Sequence, residues 1–116
     1  MTNLERLKLE LSNKEYYTDT EYIVFLEENK LTPTSIYNKT TDEIKLLEAV
    51  VNILETLSND VDMMRKLDNK DLMSIGEASK YLQERISNIK SKIVEIKLNE
   101  DATYTNIRPF FTNSRR

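Results

Sequence analysis

The 116 residues include 17 basic and 20 acidic side chains, no histidine and no cysteine, for a formal net charge of -3. That balance offers no globally basic surface for non-specific DNA binding, and the missing residue types exclude disulfide frameworks, thiolate metal sites and Ser-His-Asp or Cys-His catalysis. With 1 Gly, 2 Pro and 39% hydrophobic residues, the composition disfavours sandwiches and barrels, which need frequent tight turns, and predicts a single all-α domain.

Asn3 to Leu11 reads as a short helix with Leu4, Leu7 and Leu11 on one face and Asn3 as its N-cap. A polar break follows, carrying Tyr16 and Tyr17. Thr18 and Glu21 then fit a capping box, in which each side chain satisfies a backbone N–H of the other residue; it opens a second helix to about Glu28 that buries Tyr22, Ile23 and Leu26. Asn29 ends it. Between Lys30 and Lys39, Thr32 before Pro33 predicts a single helical turn, with Leu31 and Ile36 placed for a hydrophobic staple.

Thr40 to Arg65 is the stretch around which the chain is organised. Ile44, Leu47, Val51, Leu54 and Val61 form one stripe at helical spacing, and Leu46, Val50, Ile53, Leu57 and Met64 form a second. Such a helix is covered from two directions. Thr40 and Glu43 suit a capping box at its start.

Lys66 to Met73 reads as a surface turn. Ser74 and Glu77 suggest another capping box, opening a long helix to about Leu98 with Ala78, Leu82, Ile86, Ile89, Ile93 and Ile96 on its apolar stripe. Lys80, Glu84, Asn88, Lys92 and Glu95 fall mostly outside it. Two helices joined by a short connection usually pack side by side, so the long helices are expected to be antiparallel.

From Asn99 the pattern changes. Pro109 blocks helix propagation and restricts Arg108 to extended backbone. The expected organisation is therefore a helical domain over 1–100, a small bundle of two long antiparallel helices with short N-terminal helices, and an extended C-terminal interaction tail over 101–116. Tyr104, Ile107, Phe110 and Phe111 offer apolar anchors, and Arg108, Arg115 and Arg116 offer charged donors. These are the candidate partner-binding residues; the alternative is that Phe110 and Phe111 fold back onto their own helices to complete a small core.

No constellation of residues points to catalysis, a metal or a cofactor. Asp60 with Asp62 and Glu27 with Glu28 point in different directions on a helix and read as solvated surface. Asp68, Asn69 and Asp71 lack the glycine that a calcium loop needs at its sixth position, where Met73 stands. Gly76 has no glycine neighbours with which to cradle a phosphate. Ser91 and Lys92 are consecutive, about 100° apart around a helix, and do not face each other. Met63 and Met64 suit either an adaptable contact surface or, more ordinarily, core filling by Met64 with Met63 partly exposed. The charged start, MTNLERLKLELSNKE, lacks the apolar core of a signal peptide. No stretch approaches the roughly 18 apolar residues of a membrane span, so a cytosolic origin is expected.

The order of the segments LERLKLEL, TDTEYIVFLEEN, LLEAVVNILETLSNDVDMMRKL and ASKYLQERISNIKSKI, followed by the tail, resembles the small helical head-tail connector, or adaptor, proteins of tailed bacteriophages and of prophages in Gram-positive bacteria. The resemblance implies a non-enzymatic virion structural protein, made in the host cytoplasm and located at the neck. Such a protein binds beneath the portal as an oligomeric ring, commonly of twelve copies, and extends the DNA channel without sequence-specific binding. It supports the stopper and other neck or tail proteins. A competing expectation comes from the tail alone: a small cytosolic helical regulator whose Arg108, Arg115 and Arg116, interleaved with aromatics, bind nucleic acid or an acidic protein.

Overall fold

The computed structural model describes residues 1–60 and 75–106. Among them are four helices: α1 (Asn3–Glu10), α2 (Asp19–Glu28), α3 (Lys39–Ser58) and α4 (Ile75–Asn106). The all-α expectation holds. No helix among the described residues is long and apolar enough to cross a membrane.

α1 is capped by Thr2 rather than Asn3. Thr2 Oγ1 accepts from the Glu5 N–H at 3.2 Å, and Glu5 Oε1 accepts from the Thr2 N–H at 2.8 Å. This is the same reciprocal box expected further along the chain, set one residue earlier. The Thr2 backbone N–H holds the Glu5 carboxyl below its ordinary range. Asn3 is instead buried, its Nδ2 donating to the Thr32 carbonyl at 2.8 Å.

After α2 the expected turn is reduced to a single hydrogen bond, from Ser35 N–H to the Thr32 carbonyl at 3.2 Å, and the expected staple does not form. The backbone of 32–37 pairs with the N-terminal arm: the N–H groups of Asn3 and Leu4 donate to Ser35 and Pro33, and that of Tyr37 donates to Met1. Thr2 and Ile36 make an isolated antiparallel bridge. Held against the N-terminal arm in this way, the segment turns Ile36 outward, 70% exposed, while Leu31 is buried.

α2 begins at the Thr18–Glu21 box as expected. Its end reverses through Lys30, which takes a left-handed conformation (φ 65°). Lys30 N–H donates to Glu27 and Leu31 N–H to Leu26, so two final carbonyls are satisfied while Leu31 folds back into the core.

α3 starts one residue before the predicted Thr40. Asn38 is its cap, with Oδ1 accepting from Thr40 N–H at 3.0 Å and its own N–H donating to Asp42 at 3.0 Å. The Thr40–Glu43 box is not used, and Glu43 lies 3.8 Å from Lys92 on α4. The helix closes at Ser58, short of the predicted Arg65, where Asn59 and Asp60 turn their N–H groups onto Thr56 and Leu57. Val61, Met64 and Arg65 lie outside the described residues.

Both predicted stripes of α3 are interior. Leu46, Leu47, Val50, Val51, Ile53, Leu54 and Leu57 are buried, and Ile44 is partly so. α1 and α2 cover this helix together with α4. On α4, Ala78, Leu82, Ile86, Ile89 and Ile93 are buried and Ile96 packs at their edge, as predicted. The cap expected from Ser74 lies outside the described residues.

α4 outruns its predicted end at Leu98 and continues to Asn106. Residues 101–106, expected to be extended, are helical. No glycine or proline interrupts 99–106, and the first residue that resists helix formation is Arg108, ahead of Pro109.

Candidate interaction surface

Of the seven predicted partner-binding residues, only Tyr104 lies in the described structure, on the last turns of α4. Ile107, Arg108, Phe110, Phe111, Arg115 and Arg116 lie outside it. So do Asp62, Met63, Asp68, Asn69, Asp71 and Met73, on which the sequence raised metal-binding or contact questions. Of the other residues questioned, Glu27, Glu28, Asp60 and Ser91 are exposed, and Lys92 leans towards Glu43. Among the described residues no group of three Asp or Glu side chains could hold a metal ion.

One built feature is the break between α1 and α2. Tyr22, 1% exposed, sends its hydroxyl into the loop that precedes it: the oxygen accepts from Tyr16 N–H at 3.1 Å and Tyr17 N–H at 3.4 Å, and donates to the Lys14 carbonyl at 3.0 Å. One side chain thus satisfies a turn that has no helix ladder. Tyr17 stands edge-on to Tyr22, with ring centroids 6.2 Å apart, and tilts against Phe25 at 5.8 Å. The Tyr16 phenol is buried beside them, which pushes its pKa up to about 12.

Outside these rings lies an open hollow of about 630 Å³, lined by Lys8, Glu15, Asp19, Glu21 and Asp60 with the tyrosines. Lys8 donates to Asp19 at 2.9 Å, and that bond raises the ammonium pKa. The charged part of its lining is mostly acidic. Its aromatic floor is engaged in structure: Tyr22 bonds the loop, and Tyr16 belongs to the core cluster.

A second feature is what the core leaves uncovered on α4. Tyr81, Val94 and Leu98 are exposed, Val94 by 55% and Leu98 by 60%, although Ile93 and Ile96 beside them point inward. Sequence reasoning assigned these residues no role. The signal was present in their helical phase, since Val94 and Leu98 fall on the side opposite the buried stripe.

α4 is anchored to the rest of the chain by polar contacts along its flanks. Arg85 reaches the Glu10 carbonyl at the end of α1, with the Glu10 carboxylate 3.8 Å away, and Lys90 meets Glu55 at 3.2 Å. All are partly or well exposed, so they orient the helix more than they stabilise it. Comparison with protein-family models, with curated proteins and with solved structures found no match for the chain.

Proposed function

We propose that this chain is a non-enzymatic structural adaptor: a head-tail connector that binds a portal as a ring of copies, extends the DNA channel and supports neck and tail attachment. The observation that carries this reading is the order of helices, two short ones followed by helices of 20 and 32 residues. It parallels the segments on which the resemblance rests. The long pair is read as antiparallel, supported by Glu43 near Lys92 and by a hollow in which Lys39 and Thr40 meet Ile96 and Glu100.

The net charge of -3 suits a channel wall that does not grip passing DNA. Residues beyond Asn106 supply the anchors for a portal or a neighbouring copy: Ile107, Phe110 and Phe111 through apolar area, and Arg108, Arg115 and Arg116 through directed charge. Tyr104, on the last turns of α4, stands where this arm begins. The test is purification of portal-bearing particles from cells that make the chain, followed by electron cryomicroscopy of the neck. A ring of this chain beneath the portal is expected. Its absence from such particles, together with tight DNA binding by the isolated chain that weakens steeply with salt, refutes the connector and favours the regulator.

A further inference from the structure

We propose that the open backbone edge at Ile36 receives the C-terminal segment 107–116 of a neighbouring copy as an added strand, with Phe110 opposite Ile36. Thr2 and Ile36 form an isolated antiparallel bridge, flanked by the bonds from Asn3 N–H to the Ser35 carbonyl and from Tyr37 N–H to the Met1 carbonyl. In that pattern the two bridged residues turn their own N–H and C=O groups away from each other. Those of Thr2 are engaged, the N–H with Glu5 Oε1 and the C=O with Arg6 N–H. Those of Ile36 have no partner among the described residues. Asn3 is buried and Tyr37 packs against the core, so strand alternation sets the Ile36 side chain outward as well. An unpaired edge beside an exposed apolar side chain is the arrangement to which an extended segment adds.

The segment beyond α4 has the residues for this. Ile107, Phe110, Phe111 and Thr112 are β-branched or aromatic, and Pro109 restricts Arg108 to extended backbone. The register follows from Pro109, which has no N–H to offer. In antiparallel pairing a single residue exchanges both bonds with Ile36, and when that residue is Phe110 the backbone groups of Pro109 and Phe111 point away from the edge. Phe110 and Ile36 then make an aromatic and β-branched cross-strand pair.

Reach assigns the donor to another copy. Leu11, just past α1, and Leu54 of α3 line one cavity. Counting back at about 1.5 Å per residue, Thr2 stands roughly 13 Å from Leu11 and Lys39 roughly 22 Å from Leu54, so the bridge lies about 9 Å inside the start of α3. Glu100 shares a hollow with Lys39, and α4, antiparallel to α3, runs on to Asn106, about 9 Å beyond that start. Ile36 and Asn106 are thus about 18 Å apart along the axis alone, whereas the chain from Asn106 to Phe110 spans at most about 14 Å. Phe110 of the same chain falls short. Donor and acceptor occupy different surfaces of one chain, a heterologous contact of the kind that closes into rings.

The contact rests on the reading of this segment as an assembly arm, and it names the surface that receives the arm. Because the chain contains no cysteine, Ile36→Cys and Phe110→Cys can be made in separate full-length chains of distinguishable mass, mixed and oxidised. Disulfide-linked dimers with one copy of each variant are expected to exceed either homodimer by about fivefold or more, above the random proportion. The double variant, oxidised alone, gives linked oligomers and no internally closed monomer. Sedimentation of the unaltered chain over a concentration series shows reversible association, which Ile36→Pro weakens by about tenfold or more, since it deletes the edge N–H. That N–H is unused in the single chain, so Ile36→Pro keeps the melting curve of the dilute protein. Mixed dimers at the random proportion or below, an internal disulfide in the double variant, or association that Ile36→Pro leaves unchanged overturns the proposal. These measurements use the isolated chain, so their failure leaves the ring beneath the portal to be decided on particles; mixed dimers from a chain that is absent from the neck keep this contact and reject the connector.

Discussion

Tyr22→Phe removes one oxygen and leaves the ring, which isolates the part this hydroxyl plays in closing the loop between α1 and α2. The hydroxyl makes two well-formed bonds, from Tyr16 N–H at 3.1 Å and to the Lys14 carbonyl at 3.0 Å, and a longer one from Tyr17 N–H at 3.4 Å. A net loss of about 1 kcal/mol for each of the first two, plus the cost of leaving a buried N–H unpaired, gives about 2–4 kcal/mol. For a domain of this size that corresponds to a melting temperature lower by roughly 8–16 °C. Urea denaturation followed by circular dichroism measures it, with the denaturant slope unchanged if the native surface is kept. Tyr37→Phe is the control: the Arg6 guanidinium lies over that ring, 5.4 Å from its centroid, and a phenyl ring keeps the contact. A loss below about 0.5 kcal/mol for Tyr22→Phe, no larger than for the control, refutes the argument.

Leu54→Ala and Ile89→Ala, at buried positions on α3 and α4, are each expected to cost about 2–5 kcal/mol in urea unfolding through lost transfer energy and a residual cavity; losses below about 0.5 kcal/mol at both sites contradict the packing of these helices. Burial keeps the Tyr16 phenol protonated up to about 12, against 10.0 for a free phenol, so above pH 10 the unfolded chain binds fewer protons and stability falls as pH rises. The loss reaches about 2–3 kcal/mol by pH 12, and Tyr16→Phe makes the decline shallower. Lys30→Gly removes the Cβ from a left-handed residue with φ 65° and is expected to stabilise by about 0.5–1 kcal/mol in thermal or urea unfolding. Deleting residues 107–116 is expected to leave the melting curve unchanged and to remove the chain from portal-bearing particles; normal incorporation of the truncated chain rejects the arm as the portal-binding segment.

The helices and most of their core were legible because one helix's own geometry sets the period of its buried residues. Leu47, Val51 and Leu54 were interior by spacing, as were Leu82, Ile86 and Ile89. The Thr18–Glu21 box was legible for the same local reason. Where partners come from elsewhere in the chain, local rules gave the wrong residue. Asn3 resembles a cap, but the Thr32 carbonyl draws its amide into the interior. Thr40 and Glu43 have the right spacing, but Asn38 and Asp42 close the start of α3 while Glu43 turns towards Lys92. Pro33 suits a first helical turn, yet its carbonyl takes the Leu4 N–H. Tyr22 was correctly placed inside, but its task depends on three backbone groups of the preceding loop, which no periodicity reveals.

The candidate surface was harder to read for a physical reason that Val94 and Leu98 make concrete. By composition they belong with Ile93 and Ile96, and a hydropathy average over these residues treats all four alike. In the fold they part by phase: Ile93 is buried and Ile96 partly so, while Val94 and Leu98 face away. A core needs only enough apolar area on the side its neighbours cover. Apolar residues on the other side lower solubility without stabilising the monomer. Val24 on α2 and Leu9 on α1 are likewise exposed on otherwise packed helices. On α4, Val94 and Leu98 stand one turn apart, set outward by the same helical phase that turns Ile93 inward. Which side such a residue faces becomes visible only after the buried stripe has been subtracted.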